Sequence, residues 1–213
     1  MNYSVANTAQ NAVKVNKVIK NTYMLLSATL FFSAIMAAVS VVAQMPPMTG
    51  LICMIAAFAL IWLVLPRTAN SANGIWVVFA ITGLLGFGLG PMLTQYLALP
   101  NGGELIATAF GGTGVIFLGL SGYALTSRKD FSFMGGFLMA GMLMIFVVML
   151  ANIFFQIPAL SLAVSAVIIM LMSGFILYDT SRMIHDPNAN YVMMTVGLYL
   201  NIFNLFVHLL HIL

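Results

Sequence analysis

Charged side chains are scarce in this sequence, and their scarcity excludes an ordinary soluble fold. Lys, Arg, Asp and Glu make up 5% of the 213 residues, whereas hydrophobic residues make up 62%. A soluble domain of this length needs a charged surface, which seven basic and four acidic residues cannot provide. The basic residues are also too dispersed for a nucleic-acid interface, so no nucleic-acid partner is expected. The composition predicts an integral membrane protein.

Cysteine is almost absent as well. Cys53 is the single cysteine, which excludes a disulfide framework and a site in which several thiolates bind a metal. We expect neither a metal ion nor another cofactor.

Long uncharged runs indicate helices of roughly 20 residues, the length that a bilayer core requires. Turn-forming stretches such as MPPM at 45–48 and PNGG at 100–103 divide these runs into seven predicted spans, so the fold class is all-α with seven transmembrane helices. The predicted spans are Tyr23 to about 45, Thr49–Leu65, Ile75–Leu99, Glu104–Leu125, Phe131–Phe155, Ala159 to about Asp179, and Tyr191 to the C-terminus.

The segment before the first span forms a short N-terminal tail. We assign residues 1–20 to this tail and residues 21–213 to one seven-helix domain. The stretch VKVNKVIKNT at 13–22 places its lysines on one helical face and its apolar residues on another. It fits either an interfacial helix on anionic lipid headgroups or a charged stop before the first span.

The basic residues predict the orientation of the chain. With seven alternating spans, all of them fall on one side of the membrane and none on the other. By the positive-inside rule that side is the cytoplasm, which places the N-terminus inside and the C-terminus outside. The residues concerned are Lys14, Lys17, Lys20, Arg67, Arg128, Lys129 and Arg182.

The last span carries a polar stripe in an otherwise apolar helix. Asn201, Asn204, His208 and His211 are spaced by three, four and three residues, so they share one helical face. We expect the two asparagines to pack inward against the sixth span and the two histidines to lie nearer the periplasmic face. Histidines in such a position more often make hydrogen bonds than bind a metal.

One motif resembles a nucleophile. GLSG at 119–122 matches the GxSG of rhomboid intramembrane proteases, which pair a serine with a histidine on another helix. Ser121 lies about 24 Å below the outer face and His208 about 25 Å above the inner face. Their depths differ by about 20 Å, whereas a nucleophile and its base must lie within about 3 Å of each other. We therefore expect no catalytic residues and predict that the protein is not an enzyme.

Glycines are concentrated in the third, fourth and fifth spans. In lipid, small residues allow two helix backbones to approach closely. We expect this packing role at Gly83, Gly86 and Gly90 in GLLGFGLGP, at Gly111, Gly112, Gly114, Gly119 and Gly122, and at Gly135, Gly136, Ala140 and Gly141.

Asp179 is the acid that follows the long apolar run of the sixth span. An acid at membrane depth is costly and is by default a candidate functional residue with a partner. The alternative is that Asp179 ends the helix at the interface and pairs locally with Arg182, three residues later. The sequence pattern alone leaves both interpretations open.

Two segments carry a family resemblance. ILYDTSRMIH at 176–185, followed by LYLNIFNLFVHLL at 198–210, resembles the signature of the Bax inhibitor (transmembrane Bax inhibitor motif) family. The resemblance runs from about residue 14 to the end. It implies a fold in which six helices surround a central seventh, so that the polar stripe faces protein and can form hydrogen bonds across helices.

The resemblance implies one function for Asp179. In channel-like family members, an aspartate on the sixth span pairs with another on the seventh as the pH-sensitive seal of a calcium leak. The first position matches Asp179, but the second is Asn201, which lacks the like-charge repulsion of a second carboxylate. We expect Asp179 to interact with an arginine near the cytoplasmic mouth, either Arg67 or Arg182, with Asn201 as a neighbour that donates a hydrogen bond.

A narrower resemblance implies a second function. KNTYMLLSATLFFSAI, TGLLGFGLGPML, YALTSRKDFSFMGGFLMAG and ANIFFQIPALSLAVSAV resemble a bacterial branch of the family. That branch implies an inner-membrane partner and modulator of FtsH, the membrane-anchored AAA+ zinc protease. It also implies a substrate of that protease, engaged through its cytosolic N-terminal tail. The regulatory role is our main prediction, and the pH-linked leak of Ca²⁺ or other cations through Asp179 is the alternative.

Overall fold

The computed structural model describes residues 2–186 and 188–213, with side chains from Val13 onward. This part of the chain contains seven long helices. Each is long and apolar enough to cross a membrane, α1 through its segment Val13–Val42. The seven-helix all-α prediction is therefore confirmed. The helices are α1 (Asn2–Val42), α2 (Met48–Thr68), α3 (Asn73–Leu97), α4 (Gly102–Ser127), α5 (Met134–Phe155), α6 (Pro158–His185) and α7 (Tyr191–Ile212).

The predicted helix ends were least accurate in α1 and α6. α1 is continuous from Asn2, about twenty residues before its predicted start near Tyr23, because the polar segment continues the same helix. α6 continues six residues beyond Asp179, its predicted end. The division into a tail of residues 1–20 and a membrane domain of residues 21–213 stays a prediction.

The helices group into two compact units, and α7 contributes to both. The first unit contains α1, α2, α3 and α7 up to Tyr199, while the second contains α4, α5, α6 and α7 from Leu200. In its most apolar window, α7 has 50% of its residues buried, the largest share among the seven helices of the described chain. Within the polar stripe, Asn201 is buried and Asn204 and His208 are half-buried, which agrees with the prediction that the stripe faces protein, whereas His211 is exposed.

In the first unit, α1 and α3 pack closely through the glycines of GLLGFGLGP. A Cβ at Gly83 would lie 2.7 Å from the ring of Phe32, and one at Gly86 would overlap the backbone oxygen of Ser33. At Gly90 it would overlap the side chain of Ser40. The predicted close approach is thus confirmed for α3.

A buried tyrosine joins α7 to this pair of helices. The hydroxyl of Tyr199 lies 2.6 Å from the Ser33 hydroxyl and donates to the backbone oxygen of Thr82 at 3.2 Å. Tyr199 is almost fully buried, so its hydroxyl needs these partners. The contact fixes the first half of α7 within the first unit.

α2 contains one turn of π-helix at Leu60–Val64, just before Pro66. Proline has no amide hydrogen, and its ring crowds the carbonyl one turn earlier. The chain widens at this point, and the amide of Leu65 donates to the oxygen of Leu60, five residues back.

In the second unit, the glycines have mixed surroundings. A Cβ at Gly135 would lie 2.9 Å from the Tyr178 ring, and one at Gly141 would lie 2.7 Å from Leu171, so α5 packs closely on α6. The predicted packing role was wrong for most of the α4 glycines, for Gly136 and for Ala140, which is exposed. Within the described residues, a Cβ would meet nothing within 4 Å at Gly111, Gly114, Gly119, Gly122 or Gly136.

Candidate functional site around Asp179

Asp179 lies inside α6 and not at its end. The helix continues to His185, about 9 Å further along its axis. Arg182 and His185 occupy the last turn, where positive side chains interact favourably with the helix dipole. Asp186 is extended, as expected for a residue that precedes proline, and it ends the helix. These two extra turns place the Asp179 carboxylate within the helical part of the span.

The direct partner of Asp179 is the amide of Asn201 on α7. The Asn201 Nδ2 atom donates to the Asp179 Oδ2 atom at 2.7 Å. Asn201 is buried and Asp179 is partly buried. A hydrogen bond to a charged acceptor at this distance is among the stronger ones in proteins. The prediction that Asn201 is a neighbour that donates a hydrogen bond is confirmed.

Arg182 does not pair directly with Asp179. Its guanidinium forms an ion pair with Asp186 at 3.6 Å and lies over the ring of Tyr178, 5.6 Å from the centroid. The direct ion pair of Arg182 is with Asp186 because the extended helix provides a closer acid at i+4, whereas the charge of Arg182 acts on the Asp179 carboxylate from a greater distance. Arg67 lies in the last turn of α2, in the first unit, and its approach to Asp179 stays a prediction.

Hydroxyl groups on the same turn of α6 connect it to its neighbours. The Thr180 hydroxyl lies 3.4 Å from the hydroxyl of Ser121 on α4, and both residues are buried. Ser121 is the serine of the GLSG motif, and this contact is consistent with a packing role for it. Thr180 and Ser181 were not among the predicted site residues, although they follow Asp179 directly, because the span was predicted to end there.

The loop between α4 and α5 is held by Ser181. Its hydroxyl accepts a hydrogen bond from the Phe131 amide at 2.9 Å and donates to the Lys129 oxygen at 3.3 Å. Asp130 in this loop accepts a hydrogen bond from the Ser132 amide at 2.9 Å. Hydrogen bonds from the side chain and backbone of Ser132 lower the pKa of the Asp130 carboxyl. The loop is therefore attached to the helical turn that follows Asp179.

The rest of the polar stripe makes separate contacts. Asn204 donates to the oxygen of Leu200 on its own helix at 2.8 Å and is partly buried. The Nδ1 atom of His208 lies 3.0 Å from the hydroxyl of Ser165 on α6, which confirms a hydrogen-bonded packing role. His211 is exposed at the end of α7. Among the hydrogen bonds of the described residues, the one from this stripe to Asp179 comes from Asn201.

The pair of Asp179 and Asn201 can bind a proton or a cation. Among the contacts described, it does not place a nucleophile beside a base. A carboxylate held by a single amide keeps other lone pairs for a second ligand. An ionisable group within a membrane helix commonly marks an ion or proton pathway. The pair is thus a candidate binding or gating element.

The sequence matches known membrane proteins over almost its whole length. A family profile described as "Inhibitor of apoptosis-promoting Bax1" matches residues 15–213, so the chain belongs to the Bax inhibitor family. Among individual relatives, it is 48% identical over 201 residues to the Escherichia coli K12 protein named "Modulator of FtsH protease YccA", covering 94% of this chain and 91% of that protein. An Escherichia coli O6:H1 protein with the same identity and coverage is named "Inner membrane protein YccA".

A Vibrio cholerae relative shows the same full-length similarity. It is 46% identical over 211 residues, covering 99% of this chain and 95% of the relative, and its name is "Uncharacterized membrane protein". The resemblance to the Bax inhibitor family and its bacterial branch is therefore confirmed.

Proposed function

We propose that this protein is a regulatory binding protein that associates with and modulates the membrane-anchored AAA+ protease FtsH. The observation that carries the proposal is the 48% identity to the protein named as a modulator of FtsH, which extends over 94% of this chain. We further propose that it acts by binding and not by catalysis. The contacts of Ser121 with Thr180 and of His208 with Ser165 support this, since each side chain is used in packing within the described residues.

The proposed membrane location of the chain rests on the names of its relatives. We propose that the chain lies in the bacterial inner membrane with its N-terminus in the cytoplasm and its C-terminus in the periplasm. The two relatives named as an inner-membrane protein and a membrane protein support the location. The basic residues support the orientation because they lie in α1 before its apolar stretch, in the last turns of α2 and α6, and in the loop after α4.

Co-purification from native membranes tests the association. The chain, tagged at its C-terminus and solubilised in mild detergent, should retain FtsH through affinity purification. A matched control is another seven-helix protein of the same membrane with the same tag. If FtsH is recovered equally with both proteins, the association is non-specific and the proposal fails.

The N-terminal tail provides a second test. A chain that lacks residues 2–12 should still co-purify with FtsH but should no longer be degraded by it, because the tail would be the segment that the AAA+ ring engages. The control replaces residues 2–12 with a polar uncharged segment of equal length, which should restore degradation. Equal half-lives of the parent and the shortened chain would contradict a role for the tail.

The second candidate function is a pH-sensitive leak of Ca²⁺ or other cations. The hydrogen bond of 2.7 Å between Asp179 and Asn201 favours it, since it places an ionisable carboxylate between two membrane helices. Calcium flux into proteoliposomes should then be measurable for the parent and lost for Asp179→Asn, while Asp130→Asn in the exposed loop should keep it. Flux that is equal in the parent and in Asp179→Asn would exclude this function.

A further inference from the structure

An open apolar groove lies between α1 and α3 in the first unit. Its volume is about 950 Å³, and all of its lining side chains are apolar. Phe32 and Met36 contribute from α1, and Trp76, Phe79 and Phe87 from α3. An apolar groove on membrane helices opens to lipid and not to water, so its occupant must itself be apolar.

The groove is formed by the close approach of the two helices. Gly83 leaves room for the Phe32 ring, which would lie only 2.7 Å from a Cβ at that position. Phe32 in turn packs edge-to-face on Phe79, with ring centroids 5.5 Å apart and an angle of 76°. Ala80, with its small side chain, is exposed beside them and lines the groove. The packed rings of Phe32 and Phe79 and the small side chain of Ala80 leave space for a flexible hydrocarbon chain.

The length of the groove fits one leaflet of a bilayer. Trp76 and Phe87 mark its ends on α3, and eleven residues of helix separate them by about 16 Å. This is about half of the ~30 Å hydrocarbon thickness. The acyl chain of one phospholipid spans a single leaflet, so it matches this length.

One end of the groove carries the features of a headgroup site. Trp76 is exposed in the first turn of α3, and tryptophan is enriched at the level of lipid headgroups. Phe32 on α1 lies at the level of Gly83 on α3. Lys20 is twelve residues before Phe32, and Trp76 is seven residues before Gly83, so Lys20 lies about 8 Å beyond the level of Trp76. Lys17 lies about one turn further, and both lysines are exposed. Lysine side chains in this position attract anionic headgroups.

We propose that this groove binds an acyl chain of an anionic glycerophospholipid, whose phosphate lies near Lys17 and Lys20. The lipid comes from the leaflet on the side where α1 begins. Its chain lies against Phe32 and Phe79, and the exposed Trp76 marks the boundary between chain and headgroup. The bound lipid completes the surface between α1 and α3.

Native mass spectrometry of the full chain released from nanodiscs tests the proposal. Nanodiscs contain equal amounts of dioleoylphosphatidylglycerol and dioleoylphosphatidylcholine. The parent should retain one phosphatidylglycerol. Ala80→Trp fills the groove and should reduce retention about tenfold. The matched control is Ala140→Trp, because Ala140 is also exposed and lies at a similar distance from the start of its helix, α5.

The lysines test the headgroup separately. Lys17→Gln and Lys20→Gln should each lower the preference for phosphatidylglycerol over phosphatidylcholine about fivefold. Lys14→Gln, further from the groove, should have a smaller effect. Retention that is equal in the parent and Ala80→Trp would overturn the proposal, as would retention without headgroup preference.

A photo-crosslinking amino acid at position 76, tested in native membranes, separates the lipid from a protein occupant. An adduct with phospholipid is expected. An adduct with a protein and none with phospholipid would assign the groove to a partner helix and overturn the lipid site. Neither result depends on whether the chain binds FtsH, so the two proposals fail independently.

Discussion

The carboxylate of Asp179 and the amide of Asn201 form a hydrogen bond that only Asn201 can donate when Asp179 is ionised. This asymmetry distinguishes the contact from a pair of two facing aspartates. An amide neither repels the carboxylate nor shares a proton with it. The chemistry at this contact therefore depends on a single residue of α7.

Asn201→Asp should introduce a dependence of stability on pH. Two carboxylates about 3 Å apart share one proton when folded, whereas separated carboxylates in the unfolded chain have lost theirs by neutral pH. The folded variant thus binds the extra proton, so its stability is greatest at low pH and decreases as pH rises. From about pH 5 to about pH 8 we expect a loss of about 1–3 kcal/mol relative to the parent.

Thermal unfolding in detergent across this pH range measures the effect. The exchanged pair, Asn201→Asp with Asp179→Asn, restores one carboxylate and one amide and should behave like the parent. If the single variant and the parent show parallel stability profiles, the facing-carboxylate interpretation is incorrect.

Tyr199→Phe should destabilise the first unit. The substitution removes the hydroxyl that lies 2.6 Å from Ser33 and leaves the buried Ser33 hydroxyl without this partner. The expected cost is about 1–3 kcal/mol. Unfolding in mixed micelles gives the free energy, and Tyr123→Phe on the exposed part of α4 should change it little. A double-mutant cycle with Ser33→Ala should show a coupling energy, and strict additivity would contradict a direct hydrogen bond.

At the scale of helices, the glycines divide into two classes that the sequence does not separate. Gly86 on α3 faces the backbone of α1 at a distance that excludes a Cβ, whereas a Cβ added at Gly111 on α4 would meet no atom of another part of the described chain within 4 Å. Both lie in glycine-rich spans of similar hydropathy. Their difference arises from which face of each helix meets another helix.

Gly86→Ala and Gly111→Ala form a matched pair. The added methyl group at Gly86 overlaps Ser33 and should separate α1 from α3, at a cost of about 1–3 kcal/mol. At Gly111 the same group meets no neighbour, and the better helix propensity of alanine should stabilise the chain by up to about 1 kcal/mol. Unfolding in mixed micelles gives both values. Equal effects of the two substitutions would contradict the packing described for α3.

At the scale of the whole molecule, the proposed orientation predicts the location of every loop. Reporter fusions at residues 70, 128 and 186 should read cytoplasmic, and fusions at residues 47, 101 and 157 should read periplasmic. All six positions lie between helices, so the fusions interrupt none of them. The reason is that the basic residues favour the cytoplasmic side. A periplasmic signal at residue 186 would overturn the orientation and would move Asp179 to the opposite side.

The sequence by itself determined the seven helices and the family, and it marked Asp179 as a candidate site residue. Transfer of apolar runs into lipid is so favourable that span number follows from composition and turn residues, and four acids in a membrane protein leave few candidate sites. The tertiary structure decided which partner Asp179 contacts. The end of α6 depends on its last-turn residues and on packing. In the two extra turns Arg182 forms an ion pair with Asp186, and Asp179 accepts its hydrogen bond from Asn201. Side-chain contacts between residues 22 positions apart depend on how helices pack, which spacing along one chain does not encode.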